Sequence, residues 1–191
     1  MLTNALAKIL IDIARQAVNQ AANHKPCTPM PREEQALNER AGCFVTIKKN
    51  GQLRGCIGNF QSRKPLYQEV AEMAVAAATQ DPRFPPLRAS EIADIQLEIT
   101  VLSPLEKISG PEDIVIGEHG IYLEQGFHRG VLLPQVATEQ QWDVITFLEQ
   151  TCNKAGLDRN AWQLPTTEIY RFRGQIIHQN TELHDSTTSA E

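Results

Sequence analysis

The sequence predicts an α+β fold, in which helices pack against an antiparallel rather than a doubly wound parallel sheet. Three observations support this class: helical stripes of apolar residues near the N-terminus, an Asn-Gly hairpin turn at residues 50–51, and strict alternation of apolar and polar residues over 94–102. The 191 residues, 41% of them hydrophobic, fit one large domain or two small lobes that share a core.

Helices are indicated by apolar stripes and by end signals. Residues 2–22 and residues 65–80 each repeat apolar side chains at helical spacing, and both are predicted helices. Thr138 is followed three residues later by Gln141, which is a capping-box pattern, and Gly156 is a typical C-terminal stop. The third long helix is therefore predicted to begin after Thr138.

Strands are indicated before and after the hairpin turn. Residues 43–48 and 53–57 flank Asn50-Gly51, so they are predicted to pair as a hairpin with Cys56 at the far end of its second arm. In the segment 94–102, the polar positions include Glu98 and Thr100. Two interpretations of that polar face remain open: it meets water, or it lines a cleft.

The C-terminal half predicts a small antiparallel meander followed by a last strand. Turn glycines separate three strand-like segments, which are 114–116, 120–124 and 127–133. His119 lies in a loop of this meander. Residues 169–177 are predicted to form the final strand, and the polar residues 179–191 are predicted to form a flexible tail.

Composition excludes several classes of protein. The formal net charge of −5 argues against a nucleic-acid binder that works by neutralising phosphates. No run of about 18 apolar residues indicates a membrane span, and charges at helical spacing in residues 1–16 argue against a signal peptide, so the sequence predicts a cytoplasmic protein. The four cysteines are too sparse for a disulfide scaffold and are predicted to be reduced.

Positive charge is concentrated around Cys56. Residues 40–68, called here the basic window, contain no Asp or Glu but contain six cations, which are Arg40, Lys48, Lys49, Arg54, Arg63 and Lys64. One interpretation is that these are solvated charges on loops and hairpins. The other is that they attract an anionic ligand and favour a thiolate at Cys56.

Cys56 lies in the stretch GQLRGCIGNF, where Gly55 and Gly58 flank it. These glycines are predicted to clear space for a backbone or a ligand beside the sulfur. A nucleophilic cysteine needs exposure, a stabilised thiolate and a base. The flanking glycines are candidates to give the exposure, Arg54 to stabilise the thiolate, and His119 to act as the base. A cysteine in a strand is also a common packing residue, and this alternative stays open.

Five stretches in this order carry a family resemblance: LRGCIG (53–58), DPRFPPL (81–87), EHGIYL (118–123), LLPQVA (132–137) and CNKAGL (152–157). Together they resemble the AMMECR-type domain family, whose bacterial and archaeal members are called AmmeMemoRadiSam system protein A. The resemblance covers residues 3–178, so residues 1–178 are interpreted as a single AMMECR-type domain. It implies a larger lobe with a mixed sheet and flanking helices, a smaller antiparallel lobe, and a cleft between them that LRGCIG faces.

The resemblance also implies partners. Family members are often encoded with, or fused to, a Memo-like protein that resembles non-haem-iron dioxygenases and a radical S-adenosylmethionine protein. It does not imply a reaction, because the chemistry of the family is not settled.

Two functional hypotheses follow. In the first, the protein is a cysteine-centred enzyme or modification component, in which Cys56 attacks an electrophile, His119 shuttles a proton and Glu98 orients it. Arg54 would hold a small anionic ligand, and the other candidate ligand-binding residues are Gly55, Gly58, Thr100, Arg83 and Gln135. In the second, the protein is a non-catalytic module that binds a ligand or a Memo-like partner.

A metal or nucleotide cofactor is not predicted. Cys56, Glu98 and His119 are of metal-ligand type, but no closely spaced ligand pair supports a metal site. Neither GxGxxG nor GxxxxGK[ST] occurs in the chain. The cofactor, if the protein uses one, is left open.

Overall fold

The computed structural model describes residues 1–179, and these form two compact units. Unit 1 contains residues 1–101 and the described residues from 175 onward, and unit 2 contains residues 102–174. Helices and antiparallel strand pairs are present in both. The predicted α+β class with two unequal units is therefore confirmed. Of the tail predicted for 179–191, residues 180–191 lie outside the described residues.

Unit 1 packs two long helices on a sheet. Its elements are α1 (Asn4–Ala22), α2 (Gln35–Asn38), β1 (Cys43–Lys49), β2 (Gln52–Asn59), α3 (Leu66–Thr79) and β3 (Ile95–Leu102). The helix and strand predictions over this part of the chain are confirmed, with ends that differ by one or two residues. The core joins the apolar stripes of α1 and α3 to side chains from one sheet face, such as the fully buried Val45, Ile47 and Ile99.

The sheet of unit 1 places β1 between β2 and β3, and both pairings are antiparallel rather than mixed. For β1 and β2 the reason is local: a tight hairpin joins them, and a hairpin permits only antiparallel pairing. Thr46 lies opposite Cys56 on one side and Glu98 on the other, which we call the Cys56 row. Phe44 likewise lies between Gly58 and Thr100. Because side chains alternate along strands, both rows lie on the face opposite the helix-covered core.

Unit 2 is a small antiparallel arrangement with its own core. Its elements are β4 (Glu106–Lys107), β5 (His119–Gln125), β6 (His128–Leu132), α4 (Pro134–Glu139), α5 (Val144–Lys154) and β7 (Glu168–His178), whose last residues belong to unit 1. Strand β5 pairs antiparallel with both β6 and β7. Ile121, Leu123, Phe147 and Leu148 are fully buried in its core.

Two predictions for unit 2 are wrong. The helix expected to begin after Thr138 is divided, because Gln141 has a positive φ of 55° and interrupts the helical backbone. Helix α5 begins instead after Asp143, whose carboxylate accepts a hydrogen bond from the Thr146 amide at 2.7 Å. The strand expected at 114–116 is absent, since a 3₁₀ helix over 111–113 and a hydrogen-bonded turn over 116–118 occupy this part of the chain before β5.

Within residues 1–179, no helix has the length and apolar character needed to cross a membrane.

Candidate functional site

The sulfur of Cys56 lies half-buried on β2, next to a hydroxyl group. Thr46 Oγ1 donates a hydrogen bond to Cys56 Sγ over 3.3 Å. The backbone N–H of Cys56 points away from β1, towards the carboxylate of Asp81. Thr46 and Cys56 therefore form a non-hydrogen-bonded cross-strand pair, the geometry in which opposite side chains approach most closely.

Asp81 holds the backbone at Cys56. Its buried carboxylate accepts the Cys56 N–H at 2.8 Å, and it accepts from the Arg83 N–H, Nε and Nη2 at 3.1, 3.0 and 2.8 Å. These bonds, above all those from the Arg83 side chain, hold the pKa of Asp81 well below its usual range, although burial acts in the opposite direction. The DPR turn is thus fixed to LRGCIG by an ionised carboxylate.

Arg83 brings a positive charge to the same residue. Its Nη2 also donates to the Cys56 carbonyl oxygen at 3.4 Å, and 55% of its side chain is exposed. The hydrogen bond to Asp81 is the main cause that raises the pKa of Arg83. The guanidinium also lies 5.6 Å from the ring centre of Phe84. Cys56 therefore sits beside a cation whose orientation is restricted.

Arg54, the cation predicted to hold an anion, is engaged by the protein. Its Nε and Nη2 donate to both carboxylate oxygens of Glu91, and its Nη1 donates to the Pro85 carbonyl. Only 14% of its side chain is exposed. The Arg54 contact is the main cause that lowers the pKa of Glu91 to about 2. We conclude that Arg54 fastens β2 to the segment 85–91.

The basic window is partly neutralised by carboxylates from other segments. Four of its six cations form ion pairs, which are Lys48–Glu98, Lys49–Glu91, Arg54–Glu91 and Lys64–Glu72. Because Lys49 and Arg54 share Glu91, three carboxylates offset part of the positive charge of the window.

The glycines beside Cys56, which were predicted to clear space for a backbone or a ligand, make room for other parts of the protein. A Cβ on Gly55 would lie 2.2 Å from the Ala77 carbonyl oxygen of α3, and one on Gly58 would lie 2.3 Å from the Phe44 ring. Gly55 therefore allows the close approach of α3, and Gly58 makes room for a side chain of β1. These contacts explain both glycines without a ligand.

Glu98 and Thr100 lie on the same sheet face as Cys56, and neither is fully exposed to water. The Glu98 side chain is 18% exposed and forms an ion pair with Lys48 at 2.9 Å, and His178 Nδ1 lies 3.3 Å from its carboxylate. Thr100 is buried. Strands lie about 4.8 Å apart, so Glu98 lies roughly 10 Å from Cys56 along the row. At this distance Glu98 cannot contact the sulfur, but it can contact a substrate that binds on this face of the sheet.

His119 and Gln135 belong to unit 2, so their predicted approach to Cys56 stays a prediction. His119 is buried at the start of β5, and its Nδ1 accepts a hydrogen bond from the Val115 amide at 3.0 Å. The proton of the neutral ring is therefore on Nε2. Burial is the main cause that lowers the pKa of His119, and nearby arginines add to it. Gln135 is exposed on α4. Residues 1–179 contain no cluster of three or more potential metal ligands.

Comparison with known proteins gives the family. The AMMECR1 family model matches residues 11–177, which include β1, β2 and the DPR turn. The chain belongs to the AMMECR1 family. A protein of Methanothermobacter thermautotrophicus is 42% identical over 180 residues, which cover 91% of this chain and 94% of that protein. Protein NEQ441 of Nanoarchaeum equitans is 42% identical over 178 residues, which cover 90% of this chain and 99% of that protein.

A solved structure is also similar. The crystal structure of the uncharacterized protein PH0010 from Pyrococcus horikoshii aligns with a TM-score of 0.79 and 34% sequence identity, and the alignment covers 92% of each chain. An AMMECR1-type fold for this chain follows from the family match and from this likeness.

Two residues of the candidate site in this AMMECR1-family protein were missed by sequence reasoning. Thr46 reaches Cys56 through strand register, and Asp81 reaches it across 25 residues of sequence. The DPRFPPL stretch carries part of the family resemblance, but nothing in its composition indicates that its aspartate accepts the Cys56 amide.

The contact between Thr46 and Cys56 gives a first prediction. We expect Thr46→Val to slow alkylation of Cys56 at pH 7 by about threefold to tenfold, because it removes a hydrogen-bond donor that stabilises negative charge on sulfur. Thr46→Ser keeps the hydroxyl and is expected to react at the wild-type rate. Rates are measured by mass spectrometry of the Cys56 peptide. Equal rates for the valine and serine variants would show that the hydroxyl has no influence on the thiol.

Proposed function

We propose that this AMMECR1-family protein is a cysteine-centred enzyme or modification component in which Cys56 Sγ is the nucleophile. The observation that carries the proposal is the combination of contacts at one residue: a hydroxyl donor on the sulfur and, on the backbone, an ion pair whose carboxylate is buried. A purely packed cysteine needs apolar neighbours only. Cys43 and Cys152, by contrast with Cys56, are fully buried in the cores of the two units.

The surrounding groups have distinct proposed roles. Thr46 stabilises the thiolate through its hydrogen bond, and Arg83 adds a permanent positive charge nearby. Asp81 is a positioning residue, because it fixes the Cys56 amide and orients the Arg83 guanidinium. For proton transfer to a substrate we retain Glu98, in the same row, and His119 as candidates from the sequence.

The proposed partners are a Memo-like protein and a radical S-adenosylmethionine protein, on the basis of the family resemblance. The second hypothesis, a non-catalytic module that binds such a partner, makes no demand on the chemistry of Cys56. Reactivity of the four thiols therefore separates the two hypotheses.

The second prediction concerns those thiols. We expect iodoacetamide at pH 7 to label Cys56 at least about tenfold faster than Cys27, which is also half-buried. Cys43 and Cys152 should stay unlabelled in the folded protein because they are fully buried. Burial also raises the pKa of all three other thiols, Cys27 included. Mass spectrometry of peptides over time gives the four rates, and the urea-unfolded chain gives the reference.

A matched pair of variants completes this test. Cys56→Ser is expected to keep the melting temperature within about 2 °C of wild type, whereas Cys43→Ser, at a fully buried site, should lower it by more than about 4 °C. Cys56→Ser should also fail in a cellular complementation assay. If Cys56 reacts no faster than Cys27 and the serine variant complements fully, the binding-module hypothesis replaces the enzyme.

A further inference from the structure

We infer that the Cys56 site takes an electrophile that carries an anionic oxygen group, such as a carboxylate, and that Arg83 binds this group. The inference deepens the proposed function and rests on it, since it names the substrate class for the same sulfur. It also transfers the anion-binding role predicted for Arg54 to another residue.

The hydrogen-bond inventory of Arg83 leaves donors available. A guanidinium has five N–H groups. The Nε and Nη2 edge of Arg83 binds Asp81, and Nη2 also reaches the Cys56 carbonyl. Its Nη1 has no acceptor among residues 1–179, and the side chain is 55% exposed. The end of the guanidinium is therefore open for a planar anionic group, which binds arginine well.

Because the Asp81 carboxylate is buried, the charge that this ion pair presents to solvent is the positive charge of Arg83. Asp81 is only 2% exposed on its side chain, whereas Arg83 is half-exposed, so the positive member of this pair faces solvent. Arg54 provides the comparison, because all three of its nitrogens donate to protein acceptors and its side chain is 14% exposed. Of these two arginines in contact with the LRGCIG and DPR segments, Arg83 alone offers both exposure and an unused donor group.

The chemistry requires no additional reactant. The Cys56 thiol first loses its proton to solvent, and the thiolate then attacks the electrophilic carbon. A carbon–sulfur bond forms while the bond to the leaving group breaks, and the leaving group departs with the electron pair of that bond. Arg83 holds the anionic group of the substrate and thereby positions the electrophilic carbon close to the sulfur, which raises the rate of attack.

Iodoacetate and iodoacetamide test this directly, because they share the reacting carbon and the iodide leaving group and differ in charge. We expect the ratio of their alkylation rates, iodoacetate over iodoacetamide, to be at least about fivefold higher at Cys56 than at Cys27 in 20 mM buffer. Sodium chloride at 0.5 M should bring the two ratios together, since salt screens exposed charges.

Variants assign the preference to one residue. Arg83→Gln is expected to lower the Cys56 ratio to that of Cys27, and Arg83→Lys to keep part of it. Arg63→Gln makes the same charge change at another exposed cation of unit 1 and should leave the ratio unchanged. Circular dichroism confirms folding, and if Arg83→Gln does not fold, the salt dependence of the wild-type ratio decides.

The outcomes separate the inference from the proposed function. If Cys56 is slow towards both reagents, the nucleophile proposal fails. If Cys56 reacts fast with iodoacetamide but has the same iodoacetate-to-iodoacetamide rate ratio as Cys27, the nucleophile proposal stands and the anionic substrate class is overturned. The same conclusion follows if the rate ratio at Cys56 is unchanged in Arg83→Gln or at 0.5 M sodium chloride.

Discussion

Asp81→Ala is expected to lower the free energy of unfolding by about 2–3 kcal/mol at pH 7. The change leaves the Cys56 amide without its acceptor and removes the carboxylate that orients Arg83. Loss of one partner of a buried ion pair costs about 3–5 kcal/mol, but Arg83 is half-exposed and water recovers part of its solvation. Urea unfolding followed by circular dichroism measures the difference.

The same contact makes stability depend on pH. The pKa of Asp81 is depressed in the folded protein, mainly by the hydrogen bonds from Arg83. Its contribution is therefore complete above the unfolded carboxylate value of about 3.9, and it is lost as the pH falls from there through the folded pKa. We expect the stability difference between wild type and Asp81→Asn to be constant from pH 7 to 5 and smaller at pH 3. A difference that does not change down to pH 3 would contradict an ionised Asp81.

Gly55→Ala is expected to lower the free energy of unfolding by about 2–4 kcal/mol. The added methyl group would lie 2.2 Å from the Ala77 carbonyl oxygen, and a backbone atom in α3 cannot rotate away as a side chain can. The helix must shift from the sheet, which opens the core of unit 1 beneath Cys56. Thermal and urea unfolding both report this loss.

Gly51→Ala is the matched control for this change. Gly51 lies in the same hairpin with a φ of 75°, and nothing lies within 4 Å of the added carbon. It should cost only the left-handed backbone strain, about 1–2 kcal/mol. If Gly55→Ala is as stable as Gly51→Ala while alkylation of Cys56 becomes slower, the glycine serves access to the sulfur and not helix packing.

Local patterns predicted the elements of unit 1 well. The Asn50-Gly51 turn identified the hairpin, and alternation over 94–102 identified β3 (Ile95–Leu102) together with its polar face. Apolar spacing identified α1 and α3. The capping pattern at Thr138 failed because the backbone at Gln141 interrupts the helix, and a positive φ at glutamine has no sequence signal.

The contacts of Cys56 were beyond local patterns. Counting outward from a two-residue turn would place Thr46 opposite Gly55, but the register shifts between Ile47 and Lys48, so that Thr46 lies opposite Cys56. A bulge of this kind changes which side chains lie opposite each other, and no residue pattern in this hairpin predicts its position. Asp81 depends on how the DPR turn folds back on β2, which is tertiary structure.

The Asp81–Arg83 contact has a consequence for self-association. Strand β2 stands at the end of the strand order, where free amides and carbonyls form a template for another chain. At Cys56 both groups are already occupied, the amide by Asp81 and the carbonyl by Arg83. A neighbouring molecule therefore cannot add a strand in register across this residue. The DPR turn thus protects this edge of the sheet from pairing with another chain. Asp81 variants should therefore be tested for fibril growth as well as for folding.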